Sequence, residues 1–90
     1  MYNPQWYAIR VVHILEPKGL AREHSADEIR RDPLGFMDGV LGVYERQSED
    51  REQKSADFWD EFEHLKGTRM DDWTEEDAMR FVNCVSELFK

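Results

Sequence analysis

From Trp73 to Lys90 the apolar residues Ala78, Phe81, Val82, Val85, Leu88 and Phe89 recur three and four positions apart, the period of one helix face. Thr74 stands where a helix cap belongs, and Glu75, Glu76 and Asp77 fill a first turn that favours negative charge. Trp73, just before the cap, is placed to staple onto Ala78. The segment SADFWDEFEHLKG, residues 55–67, repeats the pattern: Phe58, Phe62 and Leu65 form a stripe, Ser55 is the expected cap and Gly67 the expected stop. Trp59 falls about a quarter-turn off that stripe, beside Glu63, while Asp60, Glu61 and His64 fall on the other side.

Ser25 and Glu28 have the spacing of a capping box for a short helix ending near Asp32. Asp32 and Pro33 then read as the cap and first turn of a longer helix through LGFMDGVLGVYERQ. Phe36, Val40 and Val43 make one row on it, and Met37, Leu41 and Tyr44 a second. Gly35, Gly39 and Gly42 make a third, each costing about 1 kcal/mol relative to Ala. Such a row either admits another helix at close range or is a tolerated weakness. The polar stretch SEDREQK, residues 48–54, either breaks the chain between helices or joins them into one long rod; the break is favoured, because two capping serines, Ser48 and Ser55, bracket it.

The N-terminal segment is ambiguous. WYAIRVVHIL is rich in β-branched and aromatic residues, which suits a strand over residues 5–15. Asn3-Pro4 is nevertheless a good helix start, Pro17 and Gly19 are good stops, and Tyr7, Val11 and Ile14 keep helical spacing. A strand here finds no downstream partner for its backbone groups, so helix is the favoured reading. The expected fold is all-α: a single small domain over residues 1–90, a compact bundle of four or five short helices, with α+β as the rival.

Composition adds two constraints. The chain of 90 residues carries a formal net charge of −8, with three Trp, three Tyr and five Phe to build a core. Residues 1–47 hold seven acids against six bases, and residues 48–90 thirteen against six, so nearly all the charge lies in the second half. That balance argues against direct nucleic-acid binding, which rests on neutralising phosphates, and suits attraction of a basic partner. An acidic face also serves plain solubility. Cys84 is the only cysteine, so neither an intrachain disulfide nor a four-thiolate zinc site forms. No apolar run approaches membrane-spanning length and no signal core follows the first residues, so the expected compartment is reducing, most simply the cytoplasm.

Candidate chemistry is sparse. Glu61 and His64 have the Glu-x-x-His spacing of di-iron bundles, but that site needs two such motifs and two more carboxylates, and neither His13 nor His24 supplies the second. Asp71-Asp72 and Glu75-Glu76-Asp77 lack the central Gly of a calcium loop. Cys84 sits at the edge of an apolar stripe on an acidic helix, a poor setting for a thiolate nucleophile. Gly-rich phosphate loops and the Gly-x-Ser-x-Gly elbow are absent. Arg30-Arg31, the only adjacent basic pair, reads as a solvated helix end. No enzyme activity, metal or cofactor is expected.

The pieces FWDEF (58–62) and SELFK (86–90), separated by a mostly helical stretch, resemble the CowN family of small helical proteins that protect nitrogenase from carbon monoxide. The resemblance covers about ten residues of the C-terminal half. It implies a helical accessory or protective subunit, with nitrogenase among the conceivable partners.

The residues favour a non-catalytic protein-binding module that occludes a partner's basic surface, in the manner of inhibitors, immunity proteins or phage anti-defence proteins, its carboxylates standing in for nucleic-acid charge. The alternatives are the accessory subunit and a homodimer through the glycine face. The expected partner-binding residues are Asp57, Trp59, Asp60, Glu61, Glu63 and His64, with Trp59 as aromatic anchor, because Trp is enriched among residues that dominate binding energy.

Overall fold

The computed structural model describes residues 1–90 and contains five α-helices and no strand. They are α1 (Pro4–Leu15), α2 (Ser25–Arg31), α3 (Pro33–Glu45), α4 (Asp50–Phe62) and α5 (Glu75–Leu88). Short 3-10 turns lie at Glu16–Lys18, Glu63–Leu65 and Met70–Asp72. The Cα radius of gyration is 12.1 Å, against about 12 Å expected for a compact chain of this length. No helix is long and apolar enough to cross a membrane.

The N-terminal segment is helical. The Asn3 side chain accepts a hydrogen bond from the Trp6 N–H and Pro4 occupies the first turn, so local capping overrides the β-propensity of the run. The chain leaves α1 through a 3-10 turn and Gly19, whose φ of 74° is left-handed, the region that favours glycine. Asp32 caps α3 through the Gly35 N–H, and Thr74 caps α5 through the Asp77 N–H, both as the sequence leads one to expect.

Two serines behave otherwise. Ser25 forms no capping box: its hydroxyl turns backward and accepts from the Arg22 N–H at 2.9 Å, closing the loop that precedes α2. Ser55 is not a cap either. α4 begins five residues earlier, at Asp50, and Ser55 lies buried in its interior. The break between α3 and α4 is therefore confined to residues 46–49, and most of the polar 48–54 stretch is helix. Asp50 and Glu52 place negative charge in the first turn of α4, where the helix dipole favours it.

One core of 20 buried apolar residues unites all five helices. α1 contributes Tyr7, Ala8, Val11, Val12 and Leu15; α3 contributes Leu34, Met37, Val40, Leu41 and Tyr44. Of the two apolar rows expected on α3, the Met37 row is buried, whereas Phe36 is half-buried and Val43 is 41 % exposed. Phe58 and Phe62 of α4 meet Phe81 of α5, with ring centroids 5.9 and 5.7 Å apart. Trp73 is also buried, edge-on to Phe81 at 5.2 Å, and its indole N–H donates to the Thr68 hydroxyl at 2.8 Å.

Candidate functional site

The glycine row of α3 is not covered by another helix of the chain. A Cβ added at Gly39 or Gly42 would meet nothing within 4 Å, whereas one at Gly35 would collide with the capping carboxylate of Asp32.

The six partner-binding candidates lie on or just beyond α4, but not on one face. Successive residues of an α-helix are about 100° apart, so Trp59 and Glu61 are almost opposite each other, with the Phe58–Phe62 stripe between them on the core side. Trp59 is half-buried against the core, edge-on to Phe58 at 6.0 Å, with the Lys66 ammonium 5.7 Å from its ring centroid. Asp60 is exposed, and Glu63 and His64, also exposed, belong to the 3-10 turn after the helix. His64 therefore does not share an α-helical face with Glu61.

Asp57 and Glu61 take the other flank, toward α5. Arg80 donates to Glu61 Oε1 from Nε at 3.1 Å and from Nη2 at 2.5 Å, and the Cys84 thiol donates to Oε2 at 3.4 Å. The Arg80 guanidinium holds the Glu61 carboxyl below its usual pKa. Burial pushes the Cys84 thiol up to about 11, and its hydrogen bond to the Glu61 carboxylate acts in the same direction. A thiol held in this way is a poor nucleophile at neutral pH. No three His, Cys, Asp or Glu side chains are grouped so as to hold a metal ion.

Asp57 and Glu61, with Phe58, border a groove of about 350 Å³ whose far wall is formed by Asn83, Cys84, Glu87 and Leu88 of α5. Arg51, near the start of α4, lines a cleft with Leu88 and Phe89 at the end of α5, while Glu61 meets Arg80 and Cys84, so the two helices run in opposite directions. Phe58 and Phe62 contact Phe81 on the core side of the groove. The floor is apolar, and the rim carries Asp57, Glu61 and Glu87 against Lys54, with Glu61 paired to Arg80 and Glu87 to Lys90.

Sequence reasoning passed over Trp6, which is 53 % exposed, with the Arg10 guanidinium 5.7 Å from its ring centroid. The signal was present: Ala8, Val12 and Leu15 complete the buried face of α1, and Trp6 falls on the side opposite to it.

Comparison with protein-family models, with curated proteins and with solved structures finds no match to this chain. What stands is the class that the fold defines: a small all-helical protein with most of its net negative charge in its last two helices.

Proposed function

We propose that this protein is a non-catalytic binding module that covers a basic surface on a partner protein. The observation that carries the reading is the distribution of charge on α4 and α5. α4 holds five acids against two bases and α5 four against one, so the two neighbouring helices account for −6 of the chain's −8. Such a surface accelerates encounter with a cationic partner and disfavours polyanions. Glu61 is engaged within the fold, whereas Asp57, Asp60 and Glu63 are exposed. The inhibitor, immunity and anti-defence roles are members of this class, and occlusion is the mechanism common to them.

The test is capture from a native host lysate on the immobilised chain. The expected result is a partner retained in stoichiometric amount that loses its own activity or ligand when bound. Raising the salt from about 0.1 M to about 1 M shortens the Debye length from about 10 to about 3 Å and should release it. Retention of no partner, or of one indifferent to salt and fully active, would overturn the reading.

A second reading, a homodimer through α3, is favoured by the open space beyond Gly39 and Gly42 next to the exposed Val43. Light scattering on the purified chain separates the two: a monomer at micromolar concentration removes the dimer. The accessory-subunit reading, nitrogenase included, rests on the FWDEF and SELFK pieces alone, and the same capture experiment tests it.

A further inference from the structure

The geometry points to the groove between α4 and α5 as the docking site for a basic amphipathic helix of the partner, one apolar side chain entering between Phe58, Cys84 and Leu88 while flanking Lys or Arg side chains reach Asp57 and Glu87. This inference rests on the protein-binding reading and specifies where and what the chain binds. Three features argue for such an occupant, and one of them against a second copy.

The first is the match of floor and rim. Phe58, Cys84 and Leu88 offer an apolar floor, and the acids stand on opposite walls, Asp57 on α4 and Glu87 on α5. In an amphipathic helix the residues one position either side of an apolar anchor lie about 100° to its two flanks, so cationic side chains there face the two walls while the apolar row faces the floor.

The second is the field beyond the rim. α4 and α5 together carry −6, and the bases nearest the rim are Lys90, which meets Glu87 at 3.7 Å in an exposed contact that a partner's cation can replace, and Lys18 and Arg51, which line a separate cleft beyond Leu88. Lys54 is the only base lining the groove, and Arg80, next to it, is already committed to Glu61. A cationic occupant meets attraction from both helices, whereas another copy's acidic α4–α5 surface would meet repulsion.

The third is that the groove is braced from within. Phe58 and Phe62 both pack on Phe81 beneath it, so the two helices are braced against each other before any ligand arrives. Glu61 is fixed by Arg80 and Cys84 at one end, which limits how far the two walls can drift.

The experiment uses the full chain and a synthetic 16-residue amphipathic peptide with a leucine row flanked by lysines and arginines, alongside a shuffled peptide of the same composition. Binding is read by calorimetry, and occupancy of the groove by the rate at which iodoacetamide alkylates Cys84, the only thiol, at about pH 9, where enough thiolate forms to react. The expected outcome is saturable one-to-one binding of the amphipathic peptide, at least tenfold tighter than the shuffled one, with alkylation slowed at least tenfold at saturation. Asp57→Lys combined with Glu87→Lys changes two exposed residues and should weaken binding tenfold or more. Asp38→Lys combined with Glu49→Lys makes the same change in net charge outside the groove and should weaken it less than threefold.

Equal binding of the shuffled peptide, an unchanged alkylation rate in the complex, or equal losses in the two double variants would each overturn the proposal. So would a dimer of the free chain that itself protects Cys84. The two levels fail differently: if a captured host partner is retained equally by the Asp57→Lys/Glu87→Lys variant, the groove assignment falls and the protein-binding reading stands. If the unmodified chain retains no partner at all, the protein-binding reading falls first.

Discussion

Arg30 and Asp71, 41 residues apart in sequence, form a two-point ion pair: Arg30 Nε donates to Asp71 Oδ1 at 2.6 Å and Nη2 to Oδ2 at 3.3 Å. The pair ties α2 to the 3-10 turn that leads into α5, and Arg69 approaches the same carboxylate at 3.5 Å. The Arg30 hydrogen bond holds the Asp71 carboxyl below its usual range, as Arg80 holds Glu61. A depressed carboxyl pKa stabilises the fold above the unfolded-state value and ceases to do so as the pH falls through the folded-state value. Stability should therefore decline on acidification below about pH 4. Asp71→Asn should be less stable at pH 7 and show a shallower decline at acid pH. Thermal melts from pH 7 to pH 2 provide the measurement, and parallel curves for the two proteins would refute the assignment.

The helices whose starts were legible are those marked by a side-chain cap and proline or by an acidic first turn: Asn3-Pro4, Asp32-Pro33, and Thr74 before Glu75. α4 was misplaced because its start carries no side-chain cap; Glu49 occupies that position in helical conformation, and Ser55 imitates a cap from inside the helix. The candidate site was legible only in part, for a different reason. Helical arithmetic separates Trp59 from Glu61, but which flank faces a neighbour depends on Arg80 and Cys84, 19 and 23 residues further along. Local periodicity carries no information on such non-local pairings.

Trp59 and Trp6 should respond differently to truncation. Trp59 is half-buried on the core, so Trp59→Ala should cost roughly 1–3 kcal/mol of stability, below the 3–5 kcal/mol typical of a fully buried aromatic. Phe62→Ala, at a site 1 % exposed, should fall in that higher range. Trp6→Ala should change stability by no more than about 0.5 kcal/mol. Urea denaturation of the three variants checks the order, and a loss at Trp59 equal to that at Phe62 would make it core and remove it as a binding anchor.

The two buried serines make an opposed pair. Ser55 is completely buried and its hydroxyl has no hydrogen-bond partner, whereas the Ser25 hydroxyl accepts from the Arg22 N–H. Ser55→Ala removes an unsatisfied polar atom and adds a better helix former, so it should raise stability by up to about 1 kcal/mol. Ser25→Ala deprives the Arg22 N–H of its acceptor and should lower stability by about 1 kcal/mol. If Ser55→Ala proves the more damaging of the two, the hydroxyl has a partner in solution and its placement in the interior of α4 needs revision.

The glycines provide a test that reaches both fold and association. Gly39→Ala and Gly42→Ala add a methyl group that meets nothing in the chain, so each should stabilise the monomer by up to about 1 kcal/mol through helix propensity and a less flexible unfolded chain. Gly35→Ala should be destabilising, because its Cβ would lie 2.1 Å from Asp32 Oδ2 and displace the α3 cap. Gly19 and Gly67, at φ of 74° and 80°, should also resist substitution, by about 1 kcal/mol or more each. If the α3 face is buried in a homodimer, the signs at Gly39 and Gly42 change with concentration. The methyl groups then obstruct close helix approach, and the variants dissociate at concentrations where the parent remains paired. Melting temperatures across a hundredfold dilution series distinguish the cases: stabilisation independent of concentration leaves the face open to solvent, and destabilisation confined to high concentration marks it as an interface.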